Sequence, residues 1–585
     1  MENKRALTNF QKQINVELLI MKIIVNILKR KQLSVRSLAR GRVTRLLCLL
    51  AGYCITSFSV MEAKIYYVDF IDGSNANSGL TPEAPWKNAP GDTAAGGIPS
   101  TLKLLPADVV KFKGGTIYRG AIVVETSGAA DAPIIFDGNT DESWGKGHSV
   151  IDQSNEQLVA FTALAGVSNL VIRGFEIRNV GGYSDDNPIL SQNEPLITKP
   201  HVGTALAFGR GGNKNIQLLD LFVHRVGQWR NQLPFSGDQS VTGTGISLQD
   251  CDGVIVRRCN FTRMRTPISI KSTTKICNID VIDCNLYQNI CWGIDIAPRR
   301  AGAVLENITI KNTNIYDYHQ FDSGNWLGAG EKPHTDGIFI RTAGMVSAWK
   351  NINIDGCFFY TDDKGNSKGG TASIFVSQGP SVNIYNNIFY NDVHSRAVGI
   401  GYSNPAGMDE QVVRIYNNTF VDGPTHIILS GEVDPAKRSV YIQNNIFQRT
   451  SRVNSVMINH EGGAPPKKLD NNIYWDKENV ESERYVLYSG GYKRMSDVRN
   501  LGYETKGMYA DPLLRNATDT VGKNCDFSLL SGPAVKMGDN LSLFFTKDRL
   551  GRARNLNGAW DVGAIMYFPA GAPRLTPPSR FRKVD

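Results

Sequence analysis

Three stretches of this chain are nearly one stretch: VNIYNNIF (382–389), VRIYNNTF (413–420) and VYIQNNIF (440–447). Each reads apolar-x-apolar, then polar residues, then an apolar or aromatic close. Earlier copies are LVIRGFEI (170–177), IQLLDLFV (216–223), VIVRRCNF (254–261), IDVIDCNL (279–286), ITIKNTNI (308–315) and INIDGCFF (352–359); KLDNNIYW (468–475) is a weaker last one. The later copies start every 27 to 31 residues, a period of stacked repeats. No copy is long enough to bury its own apolar face, so neighbours must stack. One column carries the most information. Cys259, Cys284 and Cys357 share a position that Asn387, Asn418, Asn445 and Asn472 take in later copies. Stacked strands lie ~4.8 Å apart, so like residues form ladders. Asparagine amides can hydrogen-bond along such a stack, and cysteines there act as small buried hydrophobes.

This pattern, with its asparagine ladder, resembles the right-handed parallel β-helix proteins, a superfamily of secreted carbohydrate-active proteins that includes polysaccharide lyases and glycoside hydrolases. The resemblance covers roughly residues 100–480. It implies an all-β solenoid with capping segments at both ends and does not single out one family. The divisions expected are a leader over 1–63, an N-terminal cap over 64–110, the β-helix over 111–480, a closing segment over 481–568 and a flexible tail over 569–585. YYVDFIDGSNANSGLTPEAPWKN (66–88) and WDVGAIMY (560–567) look like the ends of such proteins.

Net charge says nothing about the partner. Eleven of the 64 Lys and Arg and three of the 55 Asp and Glu fall in residues 1–63, leaving 53 against 52. The body is near neutral, so the formal +9 gives no ground for nucleic-acid binding. The basic leader runs into LLCLLAGYCITSFSV (46–60), the layout of a secretory signal peptide. A secreted or periplasmic protein is expected, with no membrane span in the mature chain and as a monomer. Seven cysteines remain outside the leader; an odd number cannot form a complete disulfide framework within one chain.

Each rung has a further strand: TPISIKS (266–272), WGIDIAP (292–298), DGIFIRT (336–342), ASIFVSQ (372–378) and AVGIGYS (397–403) among them. Alternation turns the isoleucines inward and the residues between them outward. Lys271, Asp295 and Arg341 therefore leave one sheet on three successive rungs. Insertions at 182–202, 227–242 and 318–335 precede the same sheet, and two of them end in Lys-Pro-His. They bring Trp229, His319, Asp322, Trp326 and His334, while Trp292 and Arg299 flank a strand. Long loops on a rigid scaffold are where binding residues gather, and a sugar chain would meet charges from the strands and aromatic faces from the loops. The plain alternative is a surface ion-pair ladder, which contributes little.

Two chemistries suit such residues. A lyase needs a cation to neutralise a uronate carboxylate and a base for the adjacent proton. Lys271, Arg341, Arg299 and Arg300 can supply charge, and His334, His319 or Lys271 can serve as base. A hydrolase needs two carboxyls, ~6.5–9.5 Å apart for inversion or ~5 Å for retention, and Asp295 with Asp336 would be the pair. HTDGIFI (334–340) is similar to the Asn-Thr-Asp motif of polygalacturonases, with His334 in place of Asn. The next rung, GGTASIFV (369–376), lacks that family's paired Asp, and its later Gly-His-Gly and Arg-x-Lys motifs are missing too. The catalytic candidates are therefore Lys271, Asp295, His334, Asp336 and Arg341. The sugar-binding candidates are Trp229, Trp292, Arg299, His319, Asp322 and Trp326. The expected partner is a polysaccharide, with lyase action preferred over hydrolysis; a non-catalytic glycan-binding protein is the third reading. No cofactor or metal is predicted; calcium at Asp362–Asp363 is the one alternative, unsupported because too few oxygen ligands are evident.

Overall fold

A computed structural model describes residues 63–154, 156–181, 203–209, 211–227, 243–289, 291–318, 335–362, 370–449, 456–460, 462–478, 486–518 and 522–569. All of the expected leader except Ala63, and all of the expected tail except Pro569, lie outside them. Three sheets of 13 strands each run through the molecule. From Val109–Phe112 to Leu487–Tyr488 the chain visits them in rotation. In one rung, Lys275–Ile282 belongs to sheet I, Asn285–Tyr287 to sheet II and Trp292–Pro298 to sheet III. The next rung repeats the cycle and every strand pairs in parallel with its copy. Parallel crossovers take the right-handed sense, and the fold is the right-handed parallel β-helix that the repeat implies.

The eight-residue repeat turns out to hold two strands and a corner. Its middle residue adopts a left-handed backbone: Asp220, Arg258, Asp283, Asn312, Asn386, Asn417, Asn444 and Asn471 have φ between 49° and 59°. Asn and Asp tolerate that region better than other side chains, which is why the repeat is polar at its centre. Arg258 departs from the rule, and its guanidinium pairs with Asp220 of the rung below at 2.6 Å.

The residue after each corner points inward. Cys259, Cys284 and Cys357 are buried there. Asn387, Asn418, Asn445 and Asn472 continue the column as a directed ladder. Each Nδ2 donates to the next Oδ1 at 3.0–3.1 Å and to a backbone carbonyl of the preceding rung. Each backbone N–H donates to the same Oδ1. The ladder begins with Cys357 N–H on Asn387 Oδ1 and ends in the carboxylate of Glu504. Beside it Phe359, Phe389, Phe420, Phe447 and Tyr474 stack at 4.6–5.1 Å. Ile268, Ile294, Ile338, Ile374, Val398 and Ile427 form the inner column of sheet III, all fully buried.

The two ends are closed differently. Tyr66, Val68 and Trp86 join the main core at the N-terminal end. At the other end the helix Met495–Asn500 contributes Met495 and Val498 to that core. The later part of the closing segment follows the flank instead. The corner residues Asn386, Asn417, Asn444 and Asn471 donate to the carbonyls of Lys547, Asp561, Asp539 and Met537 at 2.9–3.0 Å. Among the described residues no helix is long and apolar enough to cross a membrane.

Candidate active site

The strands Thr266–Ser272, Trp292–Pro298 and Asp336–Arg341 of sheet III place three charged side chains on the face opposite the isoleucines. Lys271 pairs in register with Ala297, and Asp295 pairs with Ser269 on one side and Phe339 on the other. Lys271 and Arg341 thus reach Asp295 along diagonals from the two flanking rungs, a span that long side chains cover. Lys271 Nζ donates to Asp295 Oδ2. Arg341 Nε and Nη2 donate to Asp295 Oδ1 and Oδ2, each at 3.3 Å.

This is no solvated ladder. Lys271 and Asp295 are each only 4% exposed, whereas the Arg341 side chain keeps 27% of its surface. Burial pulls the Lys271 ammonium down to about 8, against the opposite pull of Asp295. The positive Arg341 and Arg299 are part of that downward pull. Burial works to raise Asp295, but Lys271 and Arg341 outweigh it and hold the carboxyl below its ordinary value. Asp295 is the fixed anion of the group, and Lys271 is the member that can lose its charge near neutrality.

An aromatic cluster adjoins the triad. Trp292, Phe339 and Phe375 pack together outside the main core. Phe339 and Phe375 stack at 5.6 Å. Arg265 and Arg341 lie over the Trp292 ring at 4.4 and 4.8 Å, a favourable cation–π contact. The indole Nε1 of Trp292 is buried and has no acceptor among the described residues. Such a donor costs ~1–3 kcal/mol, and a ligand oxygen would relieve it.

Asp336 stands apart. It pairs with Trp292, three residues before the Phe339 that pairs with Asp295, an offset of ~10 Å along the strand. It shares the parity of the inward Ile338 and Ile340, is fully buried, and accepts a hydrogen bond from Ala372 N at 3.0 Å. Arg299 and Arg300 are exposed just beyond their strand. Trp229, His319, Asp322, Trp326 and His334 lie outside the described residues, as do 182–202, 228–242 and 319–334 of the three insertions. Asp362 accepts a hydrogen bond from the backbone of Gly522 in the closing segment. Among the described residues no group of three or more potential metal ligands occurs.

Sequence reading missed Arg265, which immediately precedes its strand and so falls outside any repeat. It also missed a buried cluster on the sheet II to sheet III turn. There His394 Nδ1 bonds Asp392 Oδ1 at 2.8 Å, Ser373 Oγ donates to Asp392 Oδ2 at 2.7 Å, and Tyr318 meets the His394 ring edge-on. All four are enclosed, which makes the cluster a structural pin.

No protein-family model matches the chain, and no curated protein matches it either. Solved structures do. It is similar to the lacto-N-biosidase of Eubacterium ramulus (15% identity, 70% of this chain and 68% of that one, TM-score 0.45). It is similar to a pectate lyase (12% identity, 86% and 96%, TM-score 0.43) and a rhamnogalacturonan lyase (15% identity, 70% and 87%, TM-score 0.41). At such TM-scores no residue role is carried across from them.

Proposed function

We propose that this protein cleaves an acidic polysaccharide by β-elimination at the triad of Lys271, Asp295 and Arg341. The observation that carries the reading is the buried Lys271, brought down to about 8 beside a carboxylate and a partly exposed guanidinium. Neutral Lys271 takes the proton next to a uronate carboxyl. The C–H electron pair becomes the new C=C bond, the glycosidic C–O bond breaks, and the leaving oxygen acquires a proton. Arg341, the most exposed of the three, meets the uronate carboxylate and stabilises the charge that develops on it. Asp295 is a positioning residue that holds both cations. Hydrolysis by Asp295 and Asp336 is less well supported, because an offset of ~10 Å along the strand and opposite parity do not aim two carboxyls at one bond.

The test is a screen of polygalacturonate, alginate and a neutral glycan, read by absorbance of unsaturated products and by reducing ends. Both signals on a polyuronate are expected. Reducing ends alone mean hydrolysis, and neither signal on any polymer removes the enzyme reading.

A further inference from the structure

We infer that Tyr402 is a sugar-stacking subsite for the same polymer, two rungs from Arg341 toward the C-terminal end of the stack; this rests on the reading of the triad as a polysaccharide-cleaving site. The register carries the placement. Arg341, Ser377 and Gly401 pair across three neighbouring strands of sheet III. Tyr402 follows Gly401 directly, so it leaves the sheet at the edge where Arg341 does, ~10 Å along the stack. The column between them holds Ser377 and Gly401, neither of which carries a tall side chain.

Tyr402 differs from the other aromatics of this face. Trp292, Phe339 and Phe375 are buried, but Tyr402 is 58% exposed. Its backbone has φ 60°, a region a tyrosine seldom adopts and one that persists only where the surroundings impose it. Here they do. Arg438, 1% exposed, donates to the Tyr402 carbonyl at 2.6 Å, to the Ser430 carbonyl at 2.7 Å and to Gln411 Oε1 at 2.6 Å. Two residues on, Asn404 N donates to Glu432 and Asn404 Nδ2 to the Lys437 carbonyl. A buried guanidinium thus fixes a strained loop whose product is one exposed phenol ring.

That ring has a rigid backing. Its neighbour Phe375 meets it at 5.9 Å and 65°. Phe375 in turn lies where a side chain at Gly401 would be, since a Cβ there would come within 2.9 and 3.0 Å of the Phe375 ring. A fixed, amphipathic ring on the line of the triad suits the apolar face of a pyranose. Its contact is uncharged, so it bears on chain length and not on recognition of the carboxylate.

The experiment compares wild type with Tyr402→Asn, which keeps a residue tolerant of positive φ, and Tyr402→Phe, which keeps the ring. Rates are measured on whichever of polygalacturonate and alginate the wild type cleaves, and on the shortest oligouronide it cleaves. Tyr402→Asn is expected to raise KM for the polymer about fivefold to tenfold. Its kcat, its melting temperature and its KM for the short oligouronide should match wild type, and Tyr402→Phe should behave as wild type throughout. An unchanged polymer KM overturns the inference, and so does an equal rise on both substrates. Should neither polymer be cleaved, the catalytic reading fails, and electrophoresis through gels containing each polymer decides this one separately. Retardation of wild type but not of Tyr402→Asn upholds the subsite; equal mobility overturns it.

Discussion

The molecule holds two buried polar systems made by the same device, one inside the coil and one outside it. Inside, Asn387, Asn418, Asn445 and Asn472 pass hydrogen bonds from rung to rung and end on Glu504. Outside, Lys271, Asp295 and Arg341 converge diagonally across three rungs of sheet III. In the ladder every amide of one rung has its acceptor in the next. In the triad two cations share one carboxylate, and Trp292 keeps a buried N–H without an acceptor among the described residues. Stacking turns one residue per rung into a column. A column that satisfies itself is structure, and one that leaves donors and charge over is where a ligand is expected.

Substitutions can separate the two systems. Lys271→Met should lower the elimination rate by roughly 10²–10⁴ and leave the melting temperature near wild type, because Asp295 keeps Arg341. Activity assays beside thermal melts check both halves. Asn418→Ala should do the reverse. It strips Asn387 of the acceptor for its N–H and its amide, and Ile384 of a donor. At ~1–3 kcal/mol for each unsatisfied group, a loss of about 3–5 kcal/mol is expected in denaturant titrations, with normal activity per folded molecule.

The end of the ladder should respond to pH. Burial raises the Glu504 carboxyl from its ordinary 4.5 to about 7, although Tyr474 and Asn472 donate to it. The folded state therefore holds that proton more tightly than the unfolded chain does. This stabilisation is complete below about 4.5 and is lost as pH rises through about 7. Glu504→Gln should flatten that part of the stability profile, and a variant with an unaltered slope would remove Glu504 from the account. The smallest effect is expected at the cysteine end of the same column. Cys284→Ala removes one buried sulfur whose contacts, with two carbonyls and the neighbouring Cys259 thiol, are weak, so about 1 kcal/mol is at stake. A loss there as large as at Asn418 would erase the distinction between the two halves of the column.

How much of this the sequence reveals depends on whether a residue repeats. The asparagine and cysteine column, the inward isoleucines and the outward Lys271, Asp295 and Arg341 all follow from period and alternation, because stacking copies them at fixed intervals. Partners without a period stay hidden. The first asparagine of each Asn-Asn pair docks a carbonyl 66 to 161 residues away, and no spacing announces that. The corner inside the repeat is hidden too, since a left-handed Asn386 and an inward Asn387 are the same letter. Asp336 shows the limit of motif reading. His-Thr-Asp ahead of a strand suggests a partner for Asp295, and only strand register shows that Asp336 enters the sheet three residues early, with the inward set.

The proposed role of Lys271 as the base of an elimination is decided by following the formation of unsaturated product from a polyuronate across pH, with wild type and with Lys271→Met. Wild-type activity should rise as pH passes about 8, where Lys271 loses its proton, and the variant should stay near background at every pH while remaining folded. A variant with the wild-type rate and profile, or a wild type that yields reducing ends without unsaturated product, would contradict it.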